Sequence, residues 1–477
     1  MLNRSRLTTF APFGLMAAGV ALAIAACSSP VKRGTFDPNA GAPADAGFEA
    51  SVGFTPGAVP CQGLECKRVA CDDPSVTTTI TGKVYDPAGA NVLYNVMVYI
   101  PGGPNGDAPL PDILPGVSCE TCASVVLSPM VSALTNTNGE FELKNVPVDK
   151  NVPVVIQVGK WRRQLKFDVT KKCEANPVPD REFRLPKNGS EGDMPHIAVT
   201  AGGCDALECL LRGIGVDDKE FVPGASTAGH IHVFNGEGGQ FSGAPQAGGT
   251  ATDLMGGELW NDSAKLANYD MVMMSCECSE NNQNKGGDVN GAGTPANARQ
   301  AMHDYAEAGG KIFATHFHYT WFKNSPQDDF KQVANWQAQG GGSGAYDVDQ
   351  TFPKGASFAD WLVNVNASST KGTIQLTDVT DSLSNVNAPA QSWIKKGDNA
   401  VRYFSFNAPT TAPAEQQCGR AVYSDLHLMG ISAGGGSFPN GCPAPGGLSA
   451  QQKALEFMFF DLSGCVQSDD TPPTPPK

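Results

Sequence analysis

Basic residues are scarce in this sequence. Its 477 residues include 34 lysines and arginines against 48 aspartates and glutamates, which gives a net charge of −14. A protein that binds nucleic acid normally presents a basic face to the phosphates, so this class is disfavoured. Charged residues make up only 17% of the chain, while 54 glycines and 35 prolines indicate many turns. This composition is typical of a compact, loop-rich secreted protein with two or three domains.

The apolar run near the start, residues 13–24, is too short for a transmembrane helix. Arg4 and Arg6 precede this run, and small residues followed by Cys27 come directly after it. The order resembles a bacterial lipoprotein signal over residues 1–27, in which the thiol of Cys27 takes a diacylglycerol; an ordinary secretory signal is the alternative. No aspartate follows the cysteine, and the resemblance then implies an outer-membrane lipoprotein, periplasmic or surface-exposed.

Fourteen cysteines are present, and 13 remain if Cys27 is lipidated. In an oxidising compartment most of them should form disulfide bonds, and an odd number leaves one free thiol or one intermolecular bond. Cys61, Cys66 and Cys71 are expected to staple the start of the first domain. Two close pairs suggest metal or redox motifs, although disulfides to distant partners are favoured: Cys119 with Cys122, and Cys276 with Cys278.

Two segments lack the apolar residues of a packed core. Residues 28–60 are rich in proline, alanine, glycine and aspartate and are predicted to form a disordered tether. Residues 467–477, which include the run SDDTPPTPPK, are predicted to form a disordered tail. Folded structure is therefore expected between these two segments.

Helical periodicity is missing between residues 61 and 190. Runs such as VTTTITGKVYD, YNVMVYI and EFELK alternate like strands, and the Asn136–Gly139 turn separates two of them. A small antiparallel β-sandwich is predicted. The segments ITGKVYDPAG, NVMVYIP and TNTNGEFELKNVP resemble the carboxypeptidase-regulatory-like family of transthyretin-like sandwiches, apart from an insertion at about 101–132. The resemblance implies a spacer, or a module that binds sugar or protein, without catalytic residues.

Strands and helices alternate over residues 194–466. HIAVT, IHVF, YDMVMMS and KIFAT are short apolar runs typical of buried parallel strands. Helices are predicted after the Ala201–Gly203 turn, after Thr294, and from Ser449. The alternation predicts an α/β domain with an open parallel sheet of the flavodoxin-like type. The pattern breaks at about 340–415, which is interpreted as an insertion.

No histidine occurs before position 196, so any histidine chemistry belongs to this second domain. The stretch GKIFATHFHYTWF ends a predicted strand with histidines and aromatic rings, and another histidine follows the strand AVYSD. In open parallel sheets, ligands bind beyond the carboxyl ends of the strands. Five residues are therefore predicted to line a pocket: His316, His318, Tyr319, Trp321 and His427.

This pattern allows three interpretations. His316, His318 and His427, with Asp425 as a candidate fourth ligand, would suit zinc, copper or iron. Alternatively, the rings fill space at a packed strand end. Aromatic rings beside histidines also suit stacking on sugars, in which case no cofactor is needed.

The runs YDMVMMS and AEAGGKIFATHFHYTWF, with AVYSDLHL directly after a Gly-Arg pair, resemble the class I glutamine-amidotransferase-like fold and its trehalose-utilisation (ThuA-like) branch. Glutamine hydrolysis in that fold needs a cysteine on the turn after KIFAT and a His-x-Glu after the last strand. The turn here carries Thr315, His316 and Phe317, and Met429 stands where the glutamate should be. Amidotransferase activity is therefore not expected, and Cys276 is a rival nucleophile only if it escapes a disulfide.

The sequence thus predicts a non-catalytic, exported binding protein with carbohydrate or another envelope component as its partner. The alternative is a metal-dependent hydrolase or sugar-modifying enzyme that uses zinc or another transition metal at His316, His318 and His427.

Overall fold

The protein is described from a computed structural model. The described residues are 61–103, 105–119, 128–224, 226, 228–237, 259–286, 298–337, 341–428, 438–439 and 441–474. The predicted signal with Cys27, the tether, Cys122 and Met429 lie outside these residues. The predictions that concern them stay predictions.

Seven short strands form two small sheets in the first part of the chain. They are β1 (Thr79–Lys83), β2 (Met97–Ile100), β3 (Val131–Leu134), β4 (Glu140–Lys144), β5 (Val152–Val158), β6 (Trp161–Phe167) and β7 (Ala175–Pro177). The sheets have the strand orders β4-β1-β7 and β3-β2-β5-β6. Ile80, Val98 and Ile156 are fully buried in one shared core, as alternation predicts. One detail differs from the expected antiparallel sandwich, because β1 and β7 pair in parallel.

A larger sheet of ten strands follows. Its strands are β8 (Ile197–Ala201), β9 (Phe221–Pro223), β10 (Ile231–Asn235), β11 (Met271–Met274), β12 (Lys311–Thr315), β14 (Gly344–Val348), β15 (Thr373–Leu376), β17 (Gln391–Lys395), β18 (Val401–Ala408) and β19 (Gly419–Ser424). Their order is β15-β14-β17-β18-β19-β12-β11-β8-β10-β9. The strands from β19 to β9 in this order run parallel, whereas β18, β17, β14 and β15 are antiparallel.

The residues interpreted as an insertion extend this sheet. Strand β18 pairs with β19 along six residue pairs, and β17, β14 and β15 continue outward from it. Every residue of β18 is buried. The segment at about 340–415 therefore supplies the antiparallel half of the sheet, together with a small pair formed by β13 (Ala334–Asn335) and β16 (Asn385–Val386).

Helices are few, so the described chain is rich in β-structure. They are α1 (Leu207–Gly213), α2 (Ser263–Leu266), α3 (Ala298–Glu307), α4 (Thr320–Lys323), α5 (Asp328–Lys331), α6 (Pro353–Asn364) and α7 (Ala450–Ser463). The predicted start of the last helix is confirmed, because Ser449 caps α7 and forms a capping box with Gln452. Among the described residues, no helix has the length and apolar character needed to cross a membrane.

The small sheets and the large sheet belong to one unit that spans Val59–Lys477. Helix α7 joins them, since Trp161 of β6 packs edge-on against Phe459 and the Asn91 side chain donates to Glu456 at 2.7 Å. The ammonium group of Lys160 in the sandwich pairs with Asp270, next to β11. The two predicted domains therefore share a continuous interior.

The predicted disordered tail, residues 467–477, makes buried contacts at Asp469. Asp469 accepts hydrogen bonds from Arg420 at 2.9 Å and forms an ion pair with Lys354 at 3.1 Å. Burial alone would raise the pKa of Asp469, but the two cations hold it below its ordinary value. A proline-rich composition indicated disorder, yet one buried charge is enough to anchor the segment.

Disulfide bonds staple the chain, as the cysteine count predicts. The bonds are Cys61–Cys66, Cys71–Cys173, Cys119–Cys418, Cys204–Cys278 and Cys209–Cys442, and Cys465 is bonded as well. Cys119 and Cys278 thus have distant partners rather than partners within their own motifs. The expectation of a disulfide at Cys276 is wrong: it is the free cysteine of the described part of the chain.

Candidate metal centre

Four neighbouring parallel strands of the large sheet end at the same edge. In the order β8, β11, β12 and β19, the chain continues beyond them to Asp205, Cys276, His316 and His427, respectively. The carboxyl edge of a parallel sheet is where ligands bind in folds of this kind. The edge therefore brings together a thiol and two imidazoles from distant parts of the sequence.

Side-chain hydrogen bonds and one close backbone approach hold these strand ends. The hydroxyl of Thr315 accepts from the backbone N–H of Cys276 at 3.0 Å and donates to the carbonyl of Met274 at 3.2 Å. A Cβ on Gly202 would lie 2.2 Å from the carbonyl oxygen of Cys276, so only glycine fits there. The glycine at this turn is therefore a packing requirement.

His316 turns the chain abruptly at the end of β12. Its φ of +42° lies in the left-handed region, which is uncommon for a residue with a side chain. The hydroxyl of Tyr423 donates to the carbonyl of His316 at 2.9 Å and supports this conformation. The turn directs the imidazole sideways towards the neighbouring strand ends.

Cys276, His316 and His427 form a cluster that we call the edge cluster. The Sγ atom of Cys276 lies 3.3 Å from Nδ1 of His316, and the ring centres of His316 and His427 are 5.0 Å apart. One ligand atom from each of the three residues lies within 4.8 Å of the other two. Cys276 and His427 are buried, and His316 is half-buried.

The thiol and the His316 imidazole are neutral at ordinary pH. Burial raises the pKa of Cys276 to about 12, although backbone N–H groups of Phe317 and Cys278 oppose this shift. Burial, with smaller contributions from His427 and His318, lowers the pKa of His316 to about 3. A thiol of this kind is not a ready nucleophile, because the thiolate is the reactive form.

His318, predicted as a ligand, belongs to the core beneath the cluster. Its Nε2 bonds to the carbonyl of Ser275 at 2.9 Å, and its Nδ1 accepts from the indole of Trp321 at 3.0 Å. Both ring nitrogens are therefore occupied, and only 1% of the residue is exposed. The prediction failed because the chain leaves the extended form after Thr315 and makes a turn of 3₁₀ helix over His316–Tyr319.

Of the two aromatic residues predicted to line the pocket, Trp321 is not free to stack on a ligand. Trp321 is fully buried against Trp260, with ring centres 5.0 Å apart. Tyr319 is half-buried, and its hydroxyl donates to Glu280 at 2.6 Å. The placement of Trp321 as a pocket residue is therefore wrong.

Asp425 is also not an available ligand. Its carboxylate accepts hydrogen bonds from the hydroxyl groups of Tyr423 at 2.8 Å and Ser382 at 2.7 Å, and from the backbone of Ser382 at 2.9 Å. The two histidines that flank the start of β10 are likewise engaged elsewhere: His230 with Glu220 at 2.5 Å, and His232 with the hydroxyl of Tyr269 at 3.0 Å.

A second group of metal-type ligands lies on the surface, and we call it the groove cluster. It consists of His303, Glu307 and Asp329 and lines an open groove of about 480 Å³. The Nε2 atom of His303 is 3.1 Å from Asp329 and 3.7 Å from Glu307. The imidazole thus already has carboxylate partners.

Comparisons with known proteins add little to this description of the site. No family model and no curated protein matches the chain. Two interface mutants of a type II cohesin–X-dockerin complex from Acetivibrio cellulolyticus match 31% of this chain and 78% of theirs, at 16% and 17% identity and a TM-score of 0.16. A cytoplasmic protein from Salmonella typhimurium matches 57% of this chain over its full length, at 10% identity and a TM-score of 0.29. At these values the likenesses carry no argument.

Proposed function

We propose that this protein binds a transition-metal ion, with zinc as the first candidate, through Cys276, His316 and His427. The observation that carries the proposal is the convergence of their ligand atoms within 4.8 Å of one another. Thiolate and imidazole are the preferred ligands of zinc, and this pair also suits copper.

The cluster is better suited to a metal than to covalent catalysis. The close contact between the Cys276 thiol and His316 looks like a nucleophile with its base. However, activated cysteines have lowered pKa values, whereas burial raises the pKa of Cys276 to about 12. A bound cation would instead stabilise the thiolate and use the neutral imidazole as it stands.

The proposal also concerns the fold of residues 194–466. We assign this part to the flavodoxin-like α/β class, and more specifically to the class I glutamine-amidotransferase-like fold. Support comes from the parallel run of strands from β19 to β9 and from a site at its carboxyl edge. The family nucleophile is absent, so metal-assisted hydrolysis is the catalytic version of the proposal, in which the ion would polarise a substrate or activate water.

Export and lipid anchoring at Cys27 form the second part of the proposal. The disulfide bonds support an oxidising compartment. We expect Cys27→Ser to release the protein from the membrane fraction or to block its maturation. A variant that is processed normally and stays membrane-bound would exclude the anchor. Carbohydrate stays a predicted ligand class, but Trp321 is buried and is not the residue to test it.

The metal proposal is tested by elemental analysis of protein purified from the exported fraction without chelators. We expect about one equivalent of zinc or copper in the wild type and in His303→Ala, because the groove cluster is not the site. We expect Cys276→Ser and His427→Ala to lose it. Metal-free wild type that also fails to bind added zinc would overturn the proposal, as would metal lost in His303→Ala alone.

A further inference from the structure

The two ring nitrogens of His427 have different surroundings. Its Nδ1 atom lies 3.8 Å from the Oδ2 atom of Asp378. The side chain of Asp378 is 54% exposed, which places this nitrogen on the outer side of the ring. The Nε2 atom is buried and has no hydrogen-bond partner within the described residues. Because the two nitrogens of an imidazole point in diverging directions, Nε2 is directed away from Asp378 and into the protein.

The backbone of Asp378 is fixed against the turn that carries His427. The residue before Asp378 donates its backbone N–H to the side chain of Gln451 at 2.8 Å, and the same Gln451 side chain donates to the carbonyl of His427. The residue after Asp378 forms an antiparallel bridge with Leu426, which directly precedes His427. One side chain of helix α7 and one bridge therefore hold the two loops together.

The conformation of Asp378 is itself unfavourable. Its φ of +51° lies in the left-handed region, which aspartate adopts more readily than most residues but still at a cost. Such strain persists where the surrounding contacts enforce it, and it is concentrated at functional sites. Here the contacts on both sides of Asp378 enforce it, and the carboxylate is placed beside the imidazole of His427.

We propose that Asp378 is a positioning residue that accepts the Nδ1–H of His427 and so directs Nε2 towards the metal. This inference rests on the proposed function. A histidine that binds a metal usually donates its other N–H to a carboxylate, a carbonyl or a water, which fixes the tautomer and the orientation of the ring. A separation of 3.8 Å is longer than a hydrogen bond, and rotation of the exposed carboxylate or one bridging water would close it.

The other nearby groups do not take this role. Asp425, two residues before His427, already accepts hydrogen bonds from two side-chain hydroxyl groups. The thiol of Cys276 lies 3.3 Å from Nδ1 of His316. His316 thus has a partner inside the edge cluster, whereas Asp378, the ion-pair partner of His427, lies outside it.

The tautomer is measured on metal-free protein whose histidines are labelled with nitrogen-15. Proton–nitrogen correlation spectra distinguish a ring protonated at Nδ1 from one protonated at Nε2, and His427→Ala assigns the signals. We expect His427 of the wild type to carry its proton on Nδ1. Asp378→Ala should shift the population towards the Nε2–H form. A wild-type ring protonated at Nε2 overturns the inference, whether or not the protein binds a metal.

Zinc affinity, measured by competition with a chelator, provides the second test. We expect Asp378→Ala to weaken zinc binding about 10- to 100-fold. Asp378→Asn should restore most of the affinity, because an amide oxygen accepts the same N–H. Asp398→Ala is the matched control, since it removes the same charge from an exposed turn between β17 and β18 and should leave the affinity unchanged. Circular dichroism of the metal-free proteins checks that the variants fold.

The outcomes separate this inference from the proposed function. Wild-type affinity in Asp378→Ala overturns the inference, and so does an equal loss in Asp398→Ala, which would be an effect of net charge. In either case metal loss in Cys276→Ser would still uphold the proposed function. Wild type that takes up no metal instead refutes the proposed function, and the inference falls with it.

Discussion

The edge cluster and the groove cluster meet the same distance criterion for a metal site, yet they differ in the exposure of their members and in the groups that surround the imidazoles. The edge cluster draws its residues from three neighbouring strand ends and is largely buried. The groove cluster draws two residues from one helix, α3, and one from α5, and Glu307 there is 39% exposed. Its carboxylates already surround the imidazole of His303. Proximity of ligand atoms is therefore not sufficient to identify a metal site.

The difference lies in what the polar groups do without a metal. In the groove cluster, the carboxylates of Asp329 and Glu307 lie 3.1 Å and 3.7 Å from Nε2 of His303 and are partly exposed, although Nδ1 of His303 is buried without a hydrogen-bond partner within the described residues. In the edge cluster, the Cys276 thiol lies against the imidazole of His316 in a largely buried place, and no carboxylate belongs to the cluster; the Nε2 atom of His427 is unsatisfied within the described residues. A site that is incomplete by itself is the better candidate for binding a ligand.

The largest difference between the edge cluster and the groove cluster is expected in the free energy of unfolding of their variants. His318 supports the edge cluster from below with two buried hydrogen bonds. We expect His318→Ala to lower the free energy of unfolding by about 2–4 kcal/mol, because it leaves a cavity and two unpaired polar groups. Glu307→Ala in the groove cluster should change it by about 0.5 kcal/mol or less.

Chemical denaturation of the metal-free proteins measures this difference. His318→Gln is the milder companion, since an amide can keep one of the two hydrogen bonds. If His318→Ala and Glu307→Ala lowered the free energy of unfolding equally, the hydrogen bonds of His318 would not stabilise the edge cluster. The contrast between the two clusters would then fail.

A smaller effect is expected in the pH dependence of zinc binding. The pKa of Cys276 is raised to about 12, so the thiol is protonated at neutral pH and the metal must displace its proton. His316, with a pKa of about 3, is already neutral and releases none. The affinity should therefore rise with pH, at least about tenfold per unit between roughly pH 6 and pH 8, which corresponds to about 1.4 kcal/mol.

Calorimetry in two buffers of different ionisation enthalpy counts the released protons directly. We expect at least one proton per zinc in the wild type and less in Cys276→Ser, where binding is also weak. A flat pH profile with no proton release would place the ion on carboxylates, as in the groove cluster.

Sequence patterns predicted the strands that end at this edge of the sheet. They were less successful in predicting which side chains form the cluster there. The apolar runs before Cys276, His316 and His427 became neighbouring parallel strands, and Ser449 capped the last helix, because these features depend on local composition. His318 was misplaced because a two-residue period holds only while the chain is extended. His316 has a left-handed backbone conformation, so the extended chain ends before His318.

One member of the proposed centre, Cys276, could not be assigned as a ligand from its motif alone, because a disulfide to a distant partner was the favoured interpretation. The odd cysteine count indicated a free thiol, but only the folded chain shows that Cys278 bonds to Cys204 and leaves Cys276 alone. The position of Cys276 beside His316 depends on strand order, which places β11 beside β12, and local sequence patterns do not encode strand order.

The Cys204–Cys278 disulfide bears on when the metal enters. Cys204 follows strand β8, and Cys278 lies two residues after Cys276, so this bond clamps the turn that carries Cys276 to the turn after β8. In a freshly made, reduced chain those turns are not yet clamped, and two extra thiols compete for any ion. We therefore expect oxidation to come first and loading second.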